Sequence, residues 1–256
     1  MDLLNALELD VQGNNIISIV GAGGKTTTMY RLGNELKELD RKVLLTTTTA
    51  IYYPMSNEYD NLIISNNLEQ LILESKRLSR GTITMIGKNI FHDNNKLKGI
   101  EKEWVKPLFN QGDYDSLVIE ADGAKRKSIK APTWYEPVIA NCSTLVVGCI
   151  GLDIIGKRID ENWVHRANIF SRVVGKEIGD IIDYETIFRL IISREGLFKG
   201  CKNHSKKVVL LNKVRDDEQL FYAQKLGEKI IKDGVNISRV IIGNVNMENP
   251  IIKIVE

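Results

Sequence analysis

The residues with the most definite chemistry are Gly21-Ala22-Gly23-Gly24-Lys25-Thr26-Thr27. Glycines allow backbone N–H groups to turn toward an anion, a lysine adds a cation, and a threonine hydroxyl is a hard-oxygen ligand suited to Mg²⁺. An apolar, β-branched run at 16–20 leads into this loop and an amphipathic stretch at 26–39 leaves it. That is the strand, loop, helix context in which a phosphate-binding loop works. On this reading Lys25 reaches the β- and γ-phosphates of a nucleoside triphosphate, ATP or GTP, and Thr26 ligates Mg²⁺. The strict pattern GxxxxGK[ST] wants a glycine where Ile19 stands, so the loop is a shortened form. A dinucleotide fingerprint GxGxxG starting at Gly21 would need glycine at Thr26, and the next strand ends in threonines instead of the acidic ribose ligand. The bland alternative, a glycine-rich turn with Lys25 in solvent, does not account for context and residue order together.

Further groups could share that site. The run 117–120 ends in Glu120, Ala121, Asp122 and Gly123, and residues two apart on a strand point the same way. Either carboxylate could hold Mg²⁺ or polarise water, as on a Walker B strand, and Gly123 would admit a phosphate close to the backbone. Thr46-Thr47-Thr48-Thr49 places hydroxyls at a strand end, with Thr47 and Thr48 the pair expected to complete a Mg²⁺ shell or orient water. Lys125-Arg126-Lys127 and Lys130 form a cationic run beside Asp122, in which Lys125 and Lys130 are the expected ligands of an anionic second substrate. His165-Arg166, expected on a helix at 163–174, offers a proton carrier and a phosphate partner. Asn212-Lys213 resembles the base-reading NKxD of GTPases, but Arg215 occupies the aspartate position, so the pair is expected only to flank the base.

These residues need a frame. β-branched runs at 16–20, 43–47, 62–65, 82–86, 117–120, 144–150, 207–212 and 239–242 alternate with one-sided helical stretches at 26–39, 68–78, 100–109, 163–174, 184–193 and 216–232. The alternation implies an α/β fold, P-loop NTPase-like, with a mostly parallel sheet covered by helices on both faces in three α/β/α layers. Ligands of such sheets bind beyond the carboxyl ends of the strands. Loops are expected at 57–61, 92–98 and 199–206, and no linker divides the chain, so one domain over 1–256 is the simplest partition. With 43% hydrophobic and 27% charged residues the chain has material for a large core. A net charge of only +2 excludes a global field for nucleic acid or anionic membrane, so cationic chemistry must be local. Three cysteines without CxxC spacing, no long apolar run and no basic leader point to a cytoplasmic protein with reduced thiols.

In combination, VGAGGKTT, TTTTA, IEADGAK with Lys130-Ala131-Pro132, Glu136-Pro137-Val138, GLDIIGK at 151–157, Val164-His165-Arg166 and Leu211-Asn212-Lys213-Val214 resemble one family, the selenium-dependent hydroxylase accessory proteins known as YqeC. The resemblance spans about 16–245. It implies a P-loop NTPase fold of the dimerising metal-chaperone and signal-recognition class, and association with the maturation of molybdenum hydroxylases that depend on labile selenium. It also supports Gly21 to Thr27, Thr46 to Thr49, Glu120, Asp122, Lys125, Lys130, His165 and Arg166 as the site.

The expected activity is thus Mg²⁺-dependent NTP hydrolysis or an NTP-dependent accessory step, with Lys25, Glu120, Asp122, His165 and Arg166 as its chemical groups. Expected partners are the triphosphate, a molybdenum hydroxylase apoprotein or its cofactor, and a second copy in a homodimer; neither nucleic acid nor membrane is expected. Two alternatives stand beside it: a nucleotide-loaded chaperone without turnover, and a transferase or ligase of the kind that the shortened loop of Mur ligases would allow. With no evident arginine finger, unassisted hydrolysis would run at ~10⁻³ s⁻¹.

Overall fold

The computed structural model describes residues 1–233 and 236–256. In chain order the strands are β1 (Asn15–Gly21), β2 (Lys42–Thr47), β3 (Ala50–Tyr52), β4 (Asn61–Ile64), β5 (Thr82–Gly87), β6 (Asn89–Phe91), β7 (Lys96–Lys98), β8 (Ser116–Glu120), β9 (Ile129–Lys130), β10 (Leu145–Gly151), β11 (Val164–His165), β12 (Lys206–Asn212), β13 (Arg239–Gly243) and β14 (Ile251–Val255). The helices are α1 (Leu3–Leu7), α2 (Lys25–Glu38), α3 (Leu68–Lys76), α4 (Val105–Gln111), α5 (Ala167–Val174), α6 (Tyr184–Ile192) and α7 (Asp217–Lys232). Nine strands form one sheet in the order β14-β13-β12-β10-β1-β8-β2-β5-β4, parallel throughout except for β14 at one edge. The α/β, mostly parallel, three-layer architecture read from the sequence is the one observed.

Alternation along each strand explains the layers. Ile16, Val20, Leu44, Leu117, Ile119, Val146, Val209 and Leu211 face a core covered by α3, α4, α5, α6 and α7. Their neighbours Ile17, Ile19, Val43, Leu45, Val118, Val147, Val208 and Leu210 face the opposite core, covered by α1 and by Met29, Leu32 and Leu36 of α2. Because both faces are covered, the central strands read as continuous apolar runs. The largest of these side chains each contribute about 1.5–3 kcal/mol by leaving water.

Strand order puts the chemistry together. β1 lies between β8 and β10, so the loop after β1 opens beside the carboxyl ends of both, with Ile19 level with Glu120 and Gly21 level with Cys149. β12 follows β10 and brings Asn212 level with Gly151. Asn212 is a buried bracket: its amide donates to Gly23 O at 2.7 Å, and its Oδ1 accepts from Val245 N at 2.9 Å. A side chain expected to flank a base therefore ties the loop after β1 to the loop after β13.

Several expectations change. The helix expected at 163–174 begins only at Ala167. Residues 160–164 are drawn into a turn by Asp160, whose carboxylate accepts from Asn162 N and Trp163 N, and Val164 and His165 then pair with Ile129 and Lys130 as β11 and β9. The helix expected at 100–109 is a 3₁₀ turn, Lys102–Trp104, followed by α4. The loop expected at 92–98 contains β7, which joins β3 and β6 in a separate antiparallel sheet. Three-residue strands show no periodicity to read, and α1 and β14 add to the elements expected.

Asn212→Ala would leave the Gly23 carbonyl and the Val245 N–H buried without partners. We expect a loss of about 2 kcal/mol or more in urea denaturation. A loss under about 0.5 kcal/mol would mean that the two loops re-pair without the bracket.

Candidate functional site

At the loop after β1, Gly21, Gly23 and Gly24 have φ of 90°, 84° and 131°, a region that side chains rarely adopt. Space forbids side chains too: a Cβ on Gly23 would lie 2.3 Å from Gly151 N, and one on Gly24 2.2 Å from the Asn212 amide. The donors are divided. Gly21 N–H donates to Asp122 Oδ2 at 3.1 Å, Ala22 N–H to Cys149 O at 2.9 Å and Gly23 N–H to Lys127 O at 3.1 Å. These three donors are turned into the protein and anchor the loop, which corrects the expectation that Gly21 and Gly23 direct theirs at phosphate. Gly24 caps α2 with no side-chain bond, and the N–H groups of Gly24, Lys25, Thr26 and Thr27 have no protein acceptor among the described residues. Four aligned donors at a positive helix end form an anion cradle.

Lys25 is buried and folded back: its Nζ donates to Gly21 O at 2.9 Å and lies 3.5 Å from Glu120 Oε1 and 3.2 Å from Asp122 Oδ1. Burial opposes its charge, but Asp122 and Glu120 outweigh that, holding the ammonium pKa above its ordinary value. Burial pushes the Glu120 carboxyl up, with Lys25 and the Thr26 hydroxyl working against the rise. Thr26 Oγ1 donates to Glu120 Oε2 at 2.6 Å. Asp122 Oδ1 is buried and faces the ammonium without a hydrogen bond of good alignment. Both carboxylates therefore lie on the Lys25 side of the strand end, as alternation along β8 requires.

Asp122 leads into a second chain of charges. Lys130 is fully buried, with Nζ 3.1 Å from Asp122 Oδ2, 2.7 Å from Glu136 Oε2 and donating to Gly123 O at 2.7 Å. Arg166, at φ 65° before α5, grips both oxygens of Glu136. Lys130, expected as a ligand of a second substrate, and Arg166, expected as a phosphate partner, are thus engaged within the protein, and Lys130 does not reach the cavity. Glu136, present in the Glu136-Pro137-Val138 motif but not among the expected site residues, is the group that holds them. Burial raises its carboxyl, yet Arg166 and Lys130 overcome this and keep it below its ordinary 4.5.

A cavity of about 1000 Å³ opens over the α2 N-terminus, lined by Gly23 to Thr27, Glu120, Gly123, Lys125, His165, Arg166, Asn212 and Lys213 together with Tyr52, Lys96 and Arg126. Lys213 donates to Ser128 Oγ at 2.8 Å and pairs with Asp153 Oδ2 at 3.0 Å. The threonine cluster is turned away from it. Thr46, Thr47 and Thr48 hydroxyls donate to the carbonyls of Ile86, Glu120 and Val138, at 2.8, 2.7 and 2.7 Å, and neither Thr47 nor Thr48 lines the cavity. Backbone carbonyls at the adjoining strand ends claim them. Cys149 lies beneath the loop with its thiol pushed up to about 12 by burial, and all three cysteines are free thiols.

A family model described as YqeC protein matches residues 17–168, from β1 to the start of α5. This chain belongs to the YqeC family. The matched stretch contains the anion cradle, Glu120, Asp122, Lys130, Glu136, His165 and Arg166, whereas the Asn212 bracket lies beyond it. This YqeC chain is also 26% identical over 215 residues to the "Uncharacterized protein YqeC" of Escherichia coli (strain K12), covering 82% of this chain and 80% of that one. Among its described residues no helix is long and apolar enough to cross a membrane.

In this YqeC chain burial, helped by Arg166 and Lys130, holds the His165 imidazole down at about 4, so it is neutral at pH 7. The unfolded chain takes up that proton near 6.5, so between 6.5 and 4 the unfolded state binds more protons and stability falls as pH drops. The Glu136 contribution is present above 4.5 and is lost only below it. We expect the melting temperature to fall between about pH 7 and about pH 5, and His165→Gln to flatten that fall. An identical slope in wild type and variant would place the imidazole in water.

Proposed function

We propose that the chain binds a nucleoside triphosphate with Mg²⁺ at the α2 N-terminus and uses it in the maturation of selenium-dependent molybdenum hydroxylases. The observation that carries the reading is the set of four N–H donors at Gly24, Lys25, Thr26 and Thr27, which lack protein acceptors among the described residues and lie beside the buried Lys25 ammonium. Polyanions suit this arrangement, because helix-end donors and an ammonium gain most from concentrated negative charge. The association with selenium-dependent hydroxylases comes from the YqeC resemblance alone.

The donors near Thr26 fit Mg²⁺. The Thr26 hydroxyl and Glu120 carboxylate meet at 2.6 Å, both are hard oxygens, and Asp122 Oδ1 is a buried acceptor without a hydrogen bond. Among the described residues no three His, Cys, Asp or Glu side chains gather as a metal site. This suits an ion that takes one or two carboxylates from the protein and the rest from phosphate and water. Thr26 and Glu120 would hold it, and its charge would neutralise phosphate oxygens during hydrolysis or transfer.

In this reading Lys25 has two sets of partners. With no phosphate it neutralises Glu120 and Asp122; a phosphate offered at the cradle draws the ammonium outward and releases Glu120 toward the metal side. Asp122 stays fixed by Lys130 and Gly21 N–H and keeps the loop in register. The choice between ATP and GTP falls to the side of the cavity near Asn212, Lys213 and Asn246. A nucleotide-loaded chaperone without meaningful turnover is the second reading, favoured by Arg166 being held on Glu136 instead of free to approach phosphate.

Lys25→Ala should weaken ATP or GTP binding in calorimetry by at least about tenfold, near 1.4 kcal/mol, with little effect on the nucleoside. Equal triphosphate affinity in variant and wild type would remove the phosphate-loop reading. Glu120→Gln should cost Mg²⁺-dependent turnover more than nucleotide affinity, and turnover unchanged at saturating Mg²⁺ would take Glu120 out of the metal site. Mass spectrometry of products after incubation with Mg²⁺ and ATP or GTP separates hydrolysis, transfer and binding alone.

A further inference from the structure

The cavity is larger than its phosphate cradle, and its lining also carries cations of a different kind. Most cations that line it are already engaged: Lys25 with Asp122 and Glu120, Arg166 with Glu136, Lys213 with Asp153, and Lys127 with the Asn162 carbonyl. Among the described residues Lys96, Lys125 and Arg126 have no carboxylate partner, yet all three line the same cavity. Lys125 and Arg126 are exposed and Lys96 is half-exposed, so all three are open to an anion that enters the cavity.

The wall is also built, not merely charged. Lys125 and Arg126 occupy the tip of a tight turn, closed by Lys127 N–H donating to Ala124 O at 2.9 Å, with φ of 46° and 61°. Two successive positive φ values favour glycine or asparagine, and here both positions carry long cations instead. The turn is pinned at each end to the cradle's own framework. Lys127 O accepts the Gly23 N–H at 3.1 Å, and Gly123 O accepts from Lys130 at 2.7 Å. The Arg126 guanidinium lies 4.1 Å from the centre of the Tyr52 ring, and Lys96, paired with Tyr52 across β3 and β7, lies 5.6 Å from it. Both cations thus sit against one aromatic ring, which favours each of them. The His165 imidazole, neutral and with no side-chain hydrogen bond among the described residues, lines the same space.

We infer that Lys96, Lys125 and Arg126 form a second anion subsite, separate from the phosphate cradle, that takes the phosphate group of a small phosphorylated co-substrate. A phosphomonoester carries close to two negative charges at neutral pH and offers several oxygens, which suits a guanidinium fork flanked by two ammonium groups. The concave wall and the chain's net charge of +2 favour a small molecule over a polynucleotide. The inference rests on the nucleotide reading for the cradle half of the cavity: it gives the triphosphate a partner substrate, oriented toward it by the turn that both halves share.

The test is equilibrium dialysis of labelled inorganic phosphate against the full chain with Mg²⁺, with and without a saturating non-hydrolysable ATP or GTP analogue. Phosphate should remain bound when the analogue occupies the cradle. Lys125→Gly with Arg126→Gly should lower that phosphate affinity at least about tenfold, while the melting temperature holds or rises because glycine suits both positive φ values. A purely structural turn would not separate those two readouts. Lys25→Ala should lose the analogue and keep this phosphate within about twofold. Complete displacement of phosphate by the analogue, or unchanged phosphate affinity in the double-glycine chain, overturns the second subsite and leaves the cradle standing. If no analogue binds wild type while a phosphate sensitive to the double glycine persists, the nucleotide reading fails and the anion subsite stands.

Discussion

The buried carboxylate of Asp122 is the constraint on which the site depends. It accepts the Gly21 N–H, lies 3.1 Å from Lys130 and 3.2 Å from Lys25, and has almost no contact with water. At an effective dielectric of 20 each lysine contributes about 5 kcal/mol of Coulomb attraction, which is needed because desolvating a carboxylate costs several kcal/mol. Such a cluster adds little net stability as a whole, but loss of one member strands the others. Its effect here is positional: one carboxylate fixes the loop after β1, the Lys25 ammonium and the segment 123–136 relative to each other.

A division of labour follows along the glycine loop. The first three N–H groups fasten it to Asp122 just beyond β8, to β10 and to the 124–127 turn, while the next four, at an α2 terminus with no side-chain cap, face the cavity. Ordinary helices satisfy such donors with serine, threonine, aspartate or asparagine at the cap. Gly24 supplies none, because Asn212 occupies the space where its Cβ would stand. Packing and anion binding thus come from the same few atoms, and the loop can be rigid without using up the donors it presents.

The segments after β2 and β8 show where sequence reasoning stopped. Carboxylates at 120 and 122 on one side follow from the two-residue period of a strand, and the structure places them there. Four threonines at a strand end read as hydroxyls facing ligand, but neighbouring strand ends have carbonyls in need of donors, and Ile86, Glu120 and Val138 take them. A cationic run from 125 to 130 contains residues of one charge and two fates: Lys130 enters a short strand beside His165 and is buried, while Lys125 and Arg126 remain at a turn tip. Tyr52 and Lys96 left no signal in the chain, since three-residue strands pair them across a long separation.

The amino-acid sequence by itself determined the α/β class, the alternation of the main-sheet strands β1 to β13 with the longer helices, and the glycine-lysine-threonine loop between a strand and a helix. Those are local properties, set by side-chain periodicity and by the backbone freedom of glycine. Tertiary structure alone decided which donors of the loop face the cavity, that His165 and Arg166 precede a helix instead of riding on one, and that Glu136 holds Lys130 and Arg166. Each of those depends on which distant atom arrives to claim a hydrogen bond or a charge. A buried polar group must be matched by whatever neighbour the sheet order provides, and strand order is a property of the assembled fold that no window of sequence contains.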